Sequence, residues 1–126
     1  MLRQLIITVM GNVDAGKTQL LDTIRNTAIV DSEPGKITQS IGCSLISIDT
    51  VKKICGKLLE KIKLEMAIPG FVIIDTPGHA AFTNLRKRGG NLADIAIVVI
   101  DVNDGIKPQT LECIDILKQY RTPFVI

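Results

Sequence analysis

Hydrophobic and polar positions along the chain change period several times, and each change marks an element. Gln4 to Met10 is rich in branched apolar residues, lacks clean alternation and stops at Gly11. That pattern predicts a central strand covered on both faces. From Gly16 onward Leu20, Leu21, Ile24 and Ala28 recur at helical spacing, with Thr18, Asp22 and Arg25 between them, so a helix follows the glycine loop. Residues 29–43 lose this periodicity and collect Asp31, Ser32, Glu33, Pro34, Gly35 and Gly42. A loop of that length in a compact domain is usually functional. Ser44 to Asp49 sets Leu45, Ile46 and Ile48 among small polar residues, which predicts an edge strand.

Further on, Val51, Ile54, Cys55, Leu58, Leu59 and Ile62 follow the helical series, with Lys52, Lys53, Lys57, Glu60, Lys61 and Lys63 between them. This is an amphipathic helix. Its lysines read as a solvated face, with contact to RNA phosphates as the alternative. Phe71 to Asp75 and Ile95 to Asp101 are short apolar runs, each ending at a carboxylate, and predict buried strands. Pro108 to Tyr120 reads as a helix opened by proline, and Pro123 to Ile126 begins another strand. Strands and helices alternating in this way predict an α/β fold with a mostly parallel sheet and no internal repeat.

Composition narrows this little further. With 126 residues and 46% of them hydrophobic, the chain can build one packed domain over 1–126, and a folded rather than disordered chain is expected. A formal charge of +2 is too near balance to argue for a nucleic-acid or membrane partner. The apolar run near the start is too short for a signal peptide or a span, so the expected location is cytoplasmic. Cys43, Cys55 and Cys113 are odd in number and widely spaced, which argues for buried thiols over a disulfide frame or zinc site. The pattern assigns no oligomeric state.

Candidate chemistry changes the picture more. Gly11, Asn12, Val13, Asp14, Ala15, Gly16, Lys17 and Thr18 fit the phosphate-loop pattern, placed between a buried strand and a helix. Glycines let the backbone turn several N–H groups toward phosphate oxygens, and the helix adds the positive end of its dipole. Lys17 would reach the outer phosphates as a point charge, and the Thr18 hydroxyl would ligate a bridging Mg²⁺. The bland alternative, a glycine turn beside an exposed lysine, fits this context poorly. A dinucleotide site is disfavoured because no Gly-x-Gly-x-x-Gly follows any strand.

A second constellation, Asp75-Thr76-Pro77-Gly78-His79, ends a predicted buried strand, where parallel α/β sheets place ligand-contacting groups. Asp75 can hold Mg²⁺ through water. Gly78 lets its N–H approach the terminal phosphate and sense its presence. His79, the only histidine, can orient a water for in-line attack; alone it reads more readily as a helix cap or surface residue, but the aspartate and glycine before it favour catalysis. Thr38 in the long loop can ligate Mg²⁺ while the terminal phosphate is bound and release afterwards.

Together, Gly11 to Thr18, Glu33 to Gly42, Asp75 to His79 and the following Ala81-Phe82-Thr83-Asn84-Leu85-Arg86 resemble the translational GTPases, most of all the initiation-factor-two group in its archaeal form. The resemblance covers nearly the whole chain. It implies a P-loop NTPase fold, a partial translational GTPase domain over 1–126, truncated before its last strand and helices. It also implies GTP or GDP with Mg²⁺ as ligands. By the same likeness Lys17, Thr18, Thr38 and Asp75 bind phosphates and Mg²⁺, and His79 positions the hydrolytic water when the ribosome docks through its large-subunit factor site. Val13 and Ile37 match the apolar pair that flanks that histidine, and Asp14 matches a carboxylate near the phosphates. Initiator tRNA would be met through later domains.

Departures from the pattern are Ala15 where histidine is usual, Lys36 where a second glycine is usual, and Ser40 where histidine is common. A lysine cannot take up glycine's dihedrals without strain, so the loop is expected to close differently. The guanine-reading Asn-Lys-x-Asp is expected after Ile126, so these residues leave guanine and adenine undistinguished. Two readings stand beside the GTPase: a weak nucleotide-binding module without turnover, and an unrelated P-loop ATPase.

Overall fold

The computed structural model describes residues 2–12, 15–30, 43–75 and 93–126. Among these residues five strands form one sheet in the order β2-β3-β1-β4-β5: β1 (Leu5–Gly11), β2 (Cys43–Ser47), β3 (Gly70–Asp75), β4 (Ile95–Val99) and β5 (Phe124–Val125). β1 pairs in parallel with β3 and β4, β4 in parallel with β5, and β2 runs antiparallel to β3 at the edge. The expected central, edge and buried strands are therefore present. Among the described residues three helices accompany them: α1 (Lys17–Val30), α2 (Ile48–Lys61) and α3 (Pro108–Gln119).

β1 shows why its sequence does not alternate. Val9 and the adjacent Met10 point to opposite faces of the sheet, and both are almost fully buried. Val9 packs with Leu21 of α1, Ile46 and Ile73 on one face, whereas Met10 packs with Ala96, Val98 and α3 residues Cys113, Ile116 and Leu117 on the other. A strand flanked on both sides has no face left for polar residues.

Three expectations need correction at their margins. The strand expected over Ser44–Asp49 ends at Ser47, and Ile48 and Asp49 begin α2. Ser47 caps that helix, its hydroxyl accepting from the Thr50 amide at 3.3 Å, so a local side-chain bond ends the strand early. The run Ile95–Asp101 is a strand only to Val99. Of the three thiols, Cys113 is buried, while Cys43 and Cys55 are half-buried, because they sit on the edge strand and on the outlying α2; all three are free.

At the amino-terminal edge of the sheet, the Asp94 carboxylate accepts from both terminal nitrogens of Arg3, one bond measuring 2.7 Å, and from the Ile6 amide at 2.8 Å. The Asp94 amide donates to the Ile6 carbonyl at 2.8 Å. This clasp fixes where β4 starts alongside β1. Arg3 holds the Asp94 carboxyl below its ordinary range, chiefly through these side-chain hydrogen bonds and with help from the Ile6 amide, against a smaller opposing effect of burial. Among the described residues, no helix is long and apolar enough to cross a membrane.

Candidate phosphate-binding site

Parallel pairing brings the carboxyl ends of β1, β3 and β4 to one edge of the sheet. The chain leaves β1 for β3 on one side and later takes up β4 on the other. That reversal of strand order is where open α/β sheets place ligands.

The end of β1 is built for glycine. Gly11 has φ +150° and pairs with Val99, and a Cβ there would lie 2.5 Å from the Val99 carbonyl oxygen. Its backbone can therefore turn into the loop without parting β1 from β4. The Ala15 amide donates to the Asn12 carbonyl at 3.1 Å, closing a tight turn, and Gly16 at φ +90° leads into α1. The first intrahelical bond runs from the Leu20 amide to the Gly16 carbonyl at 2.9 Å. First-turn amides ahead of it point out of the helix end, as an anion site requires. Space around Gly16 is open, with nothing within 4 Å of a Cβ built there.

Lys17 opens α1 and is only 8% exposed, a rare state for an ammonium without a compensating charge. Its Nζ lies 3.2 Å from Asp75 Oδ1, at the end of β3. That oxygen is shielded from solvent and makes no aligned hydrogen bond among the described residues; its pair with Lys17 is in Coulomb range but off the bonding direction. A buried carboxylate oxygen left with acceptor capacity suits a hard cation or its bound water. Thr18 presents its side chain at the surface of the same turn, and Asn12 is half-buried at the start of the loop. α3 closes the floor: burial pushes the Cys113 thiol up, while a hydrogen bond with the Gly11 backbone and the Lys17 charge act in the opposite direction.

The structure thus brings Gly11, Asn12, Ala15, Gly16, Lys17, Thr18 and Asp75 to one edge of the sheet. Val13, Asp14, Thr38, Gly78 and His79, with Lys36, Ile37 and Ser40, lie outside the described residues. Among the described residues no group of three His, Cys, Asp or Glu side chains could cage a metal. Mg²⁺ does not need one, because it commonly takes one or two protein oxygens and completes its octahedron with phosphates and water. The donors present fit a magnesium-bound polyphosphate: a buried amine, an orphaned carboxylate oxygen and an open glycine turn.

The model of the elongation factor Tu GTP-binding domain matches residues 2–126. The chain belongs to that family. It is 61% identical over 125 residues to the "Probable translation initiation factor IF-2" of Methanopyrus kandleri, and 58% identical to the protein of the same name in Thermococcus sibiricus. Both alignments cover 99% of this chain and 21% of the relative, so the chain spans about a fifth of their length. A crystal structure of GDP-bound aIF5B from Aeropyrum pernix superposes with a TM-score of 0.86 at 52% identity, covering 100% of this chain and 21% of that one. Family membership and this likeness agree with the α/β P-loop architecture described above.

Sequence reasoning missed several supporting residues. Arg25 Nε donates to Ser44 Oγ at 2.7 Å, tying α1 to β2 across the interval that contains Thr38. Cys113 read as a core thiol, and nothing in its spacing placed it beneath Gly11. Ser47 ahead of an apolar helical series was a usable cap signal; the Arg25 and Cys113 contacts left no local trace.

Proposed function

We propose that this chain is the GTP-binding and GTP-hydrolysing switch domain of a translation initiation factor, acting in the cytoplasm at ribosomal subunit joining. The observation that carries the reading is the buried Lys17 amine beside the orphaned Asp75 oxygen, at the switch point of the sheet and next to the Gly11–Gly16 turn. Loop amides and the first turn of α1 hold the phosphates. Lys17 places its charge on the outer ones, and Thr18, Thr38 and Asp75 supply the oxygens for Mg²⁺. Mg²⁺, when bound, neutralises charge on the β- and γ-phosphates. Gly78 senses the terminal phosphate, and His79 orients the water that attacks it in line. A bond forms from water oxygen to phosphorus as the bond to the bridging oxygen breaks, leaving GDP and inorganic phosphate. Loss of that phosphate releases Thr38 and Gly78, which turns chemistry into a change of surface. The GTP-binding family model and the GDP-bound aIF5B structure support a guanine nucleotide, and the initiation-factor relatives support the ribosome as partner; contact at its large-subunit factor site, and with initiator tRNA through later domains, is part of the same proposal.

Phosphate release measured with and without ribosomes tests the reading. Ribosomes should accelerate it, His79→Ala should abolish the acceleration, and Lys17→Ala should remove nucleotide binding. Equal release in all cases rejects the mechanism.

A second reading is nucleotide binding without turnover. Titration with fluorescent GTP, GDP and ATP separates the possibilities. Micromolar affinity for guanine nucleotides with measurable turnover supports the first reading, and equal competition by ATP supports a general P-loop site.

A further inference from the structure

α2 carries more apolar surface than the fold uses. Val51, Cys55 and Leu59 are half-buried, but Ile54, Leu58 and Ile62, which the sequence placed on the same face, are 53%, 58% and 56% exposed. Spacing of four residues sets these three in a row, spanning about 12 Å along the helix. Lys53, Lys57 and Lys61 are exposed as well, one position earlier at each step, and form a parallel row beside the first. Asp49 and Glu60 fall on the side of the helix opposite Leu58. The exposed face is therefore an aliphatic ridge bordered by ammonium groups.

We propose that this face docks an acidic amphipathic helix of a partner protein, with aliphatic side chains on Ile54, Leu58 and Ile62 and carboxylates along Lys57 and Lys61. A single ridge of residues four apart matches the groove of a facing helix. Charge complementarity fixes the sign of the partner and would speed its encounter. RNA fits less well, because the centre of the face is aliphatic and α2 has no aromatic side chain on which a base could stack. A membrane fits less well because Val51 of the other apolar row packs on the core and Cys55 and Leu59 are half-buried, which leaves one fully exposed ridge rather than a broad apolar face.

The test uses the whole chain and a fluorescein-labelled synthetic helix of about 18 residues, long enough to be partly formed alone, with leucines four apart beside a row of glutamates. Fluorescence anisotropy should show saturable binding that weakens with salt. Leu58→Asp should weaken it at least roughly tenfold, the scale expected of a central anchor. Lys57→Glu with Lys61→Glu should weaken it and restore binding to a peptide whose glutamates are replaced by lysine. Leu58→Ser serves if the aspartate disturbs the helix, and neither variant should change nucleotide titration. No saturable binding, equal affinity in Leu58→Asp, or failure of the charge swap overturns the proposal. Tighter binding of single-stranded RNA or of phosphatidylserine vesicles, or self-association abolished by Leu58→Asp, would assign the face to another occupant and overturn it equally.

Discussion

Replacing Gly11 by alanine separates two costs that glycine avoids. The added Cβ would sit 2.5 Å from the Val99 carbonyl oxygen, whereas real Cβ atoms essentially never come within 3.0 Å of such a neighbour. Because the obstacle is backbone in the adjacent strand, no side chain can rotate away, and β1 and β4 must part at their carboxyl ends. Forcing an L-residue to φ +150° adds a torsional cost of about 1–3 kcal/mol, and a weakened interstrand hydrogen bond adds about 1 kcal/mol. The expected loss is therefore about 2–4 kcal/mol, a large part of the ~5–15 kcal/mol that holds a domain folded. Gly16 provides the control. It too has positive φ, +90°, but nothing lies within 4 Å of its would-be Cβ, so Gly16→Ala should lose only the torsional part, about 1–2 kcal/mol. Urea unfolding followed by far-ultraviolet circular dichroism measures both, since the chain has no tryptophan. If Gly11→Ala loses no more stability than Gly16→Ala, the close approach to Val99 does not constrain the loop, and the account of how β1 delivers the phosphate turn is wrong.

Lys63 and Arg121 stand just past α2 and α3 with φ of 52° and 53°, where the Leu64 amide reaches the Leu59 carbonyl at 3.0 Å and the Thr122 amide the Leu117 carbonyl at 2.9 Å. Glycine prefers that left-handed position, so Lys63→Gly and Arg121→Gly should each raise stability by about 0.5–1 kcal/mol in urea unfolding; a loss at both sites would contradict the cap geometry. The Asp94 carboxyl is held below its ordinary value by Arg3, so its contribution is complete above the unfolded value of about 4 and disappears as pH falls through the lower folded value. Asp94→Asn should accordingly be less stable than the parent at neutral pH, with the gap closing in acid; a constant gap in a pH series of unfolding curves would contradict the clasp. Burial raises the Cys113 thiol, so iodoacetamide at neutral pH should modify Cys43 and Cys55 well before Cys113, as mass spectrometry of timed digests would show. Modification of all three at one rate would mean that α3 does not shield the site.

Elements were legible because periodicity reports local burial. The apolar run before Gly11, the proline ahead of α3 and the helical series of α2 each announced their structures. The eight residues from Gly11 to Thr18 carried a chemical reading by themselves, since a phosphate turn is a local backbone device whose glycines, lysine and threonine lie within one strand–helix junction. Their position between a strand and a helix was equally local. The boundary at Ser47 was readable in principle, but alternation in Leu45, Ile46 and Ile48 competed with the cap.

What the tertiary structure alone decided were the partners. No spacing rule could pair Arg3 with Asp94, 91 positions away, or set Lys17 against Asp75, because such contacts depend on which strands become neighbours. The order β2-β3-β1-β4-β5 made Asp75 and Gly11 share an edge, and the antiparallel return of β2 carried Ser44 to Arg25. The helix α2 shows the difference most plainly. Hydrophobic spacing established that it has an apolar face, but only its docking beside β2 and β3 settled that Val51, Cys55 and Leu59 are half-buried while Ile54, Leu58 and Ile62 stay in water. A one-dimensional pattern records which residues avoid water, whereas packing in three dimensions selects the surface that covers them.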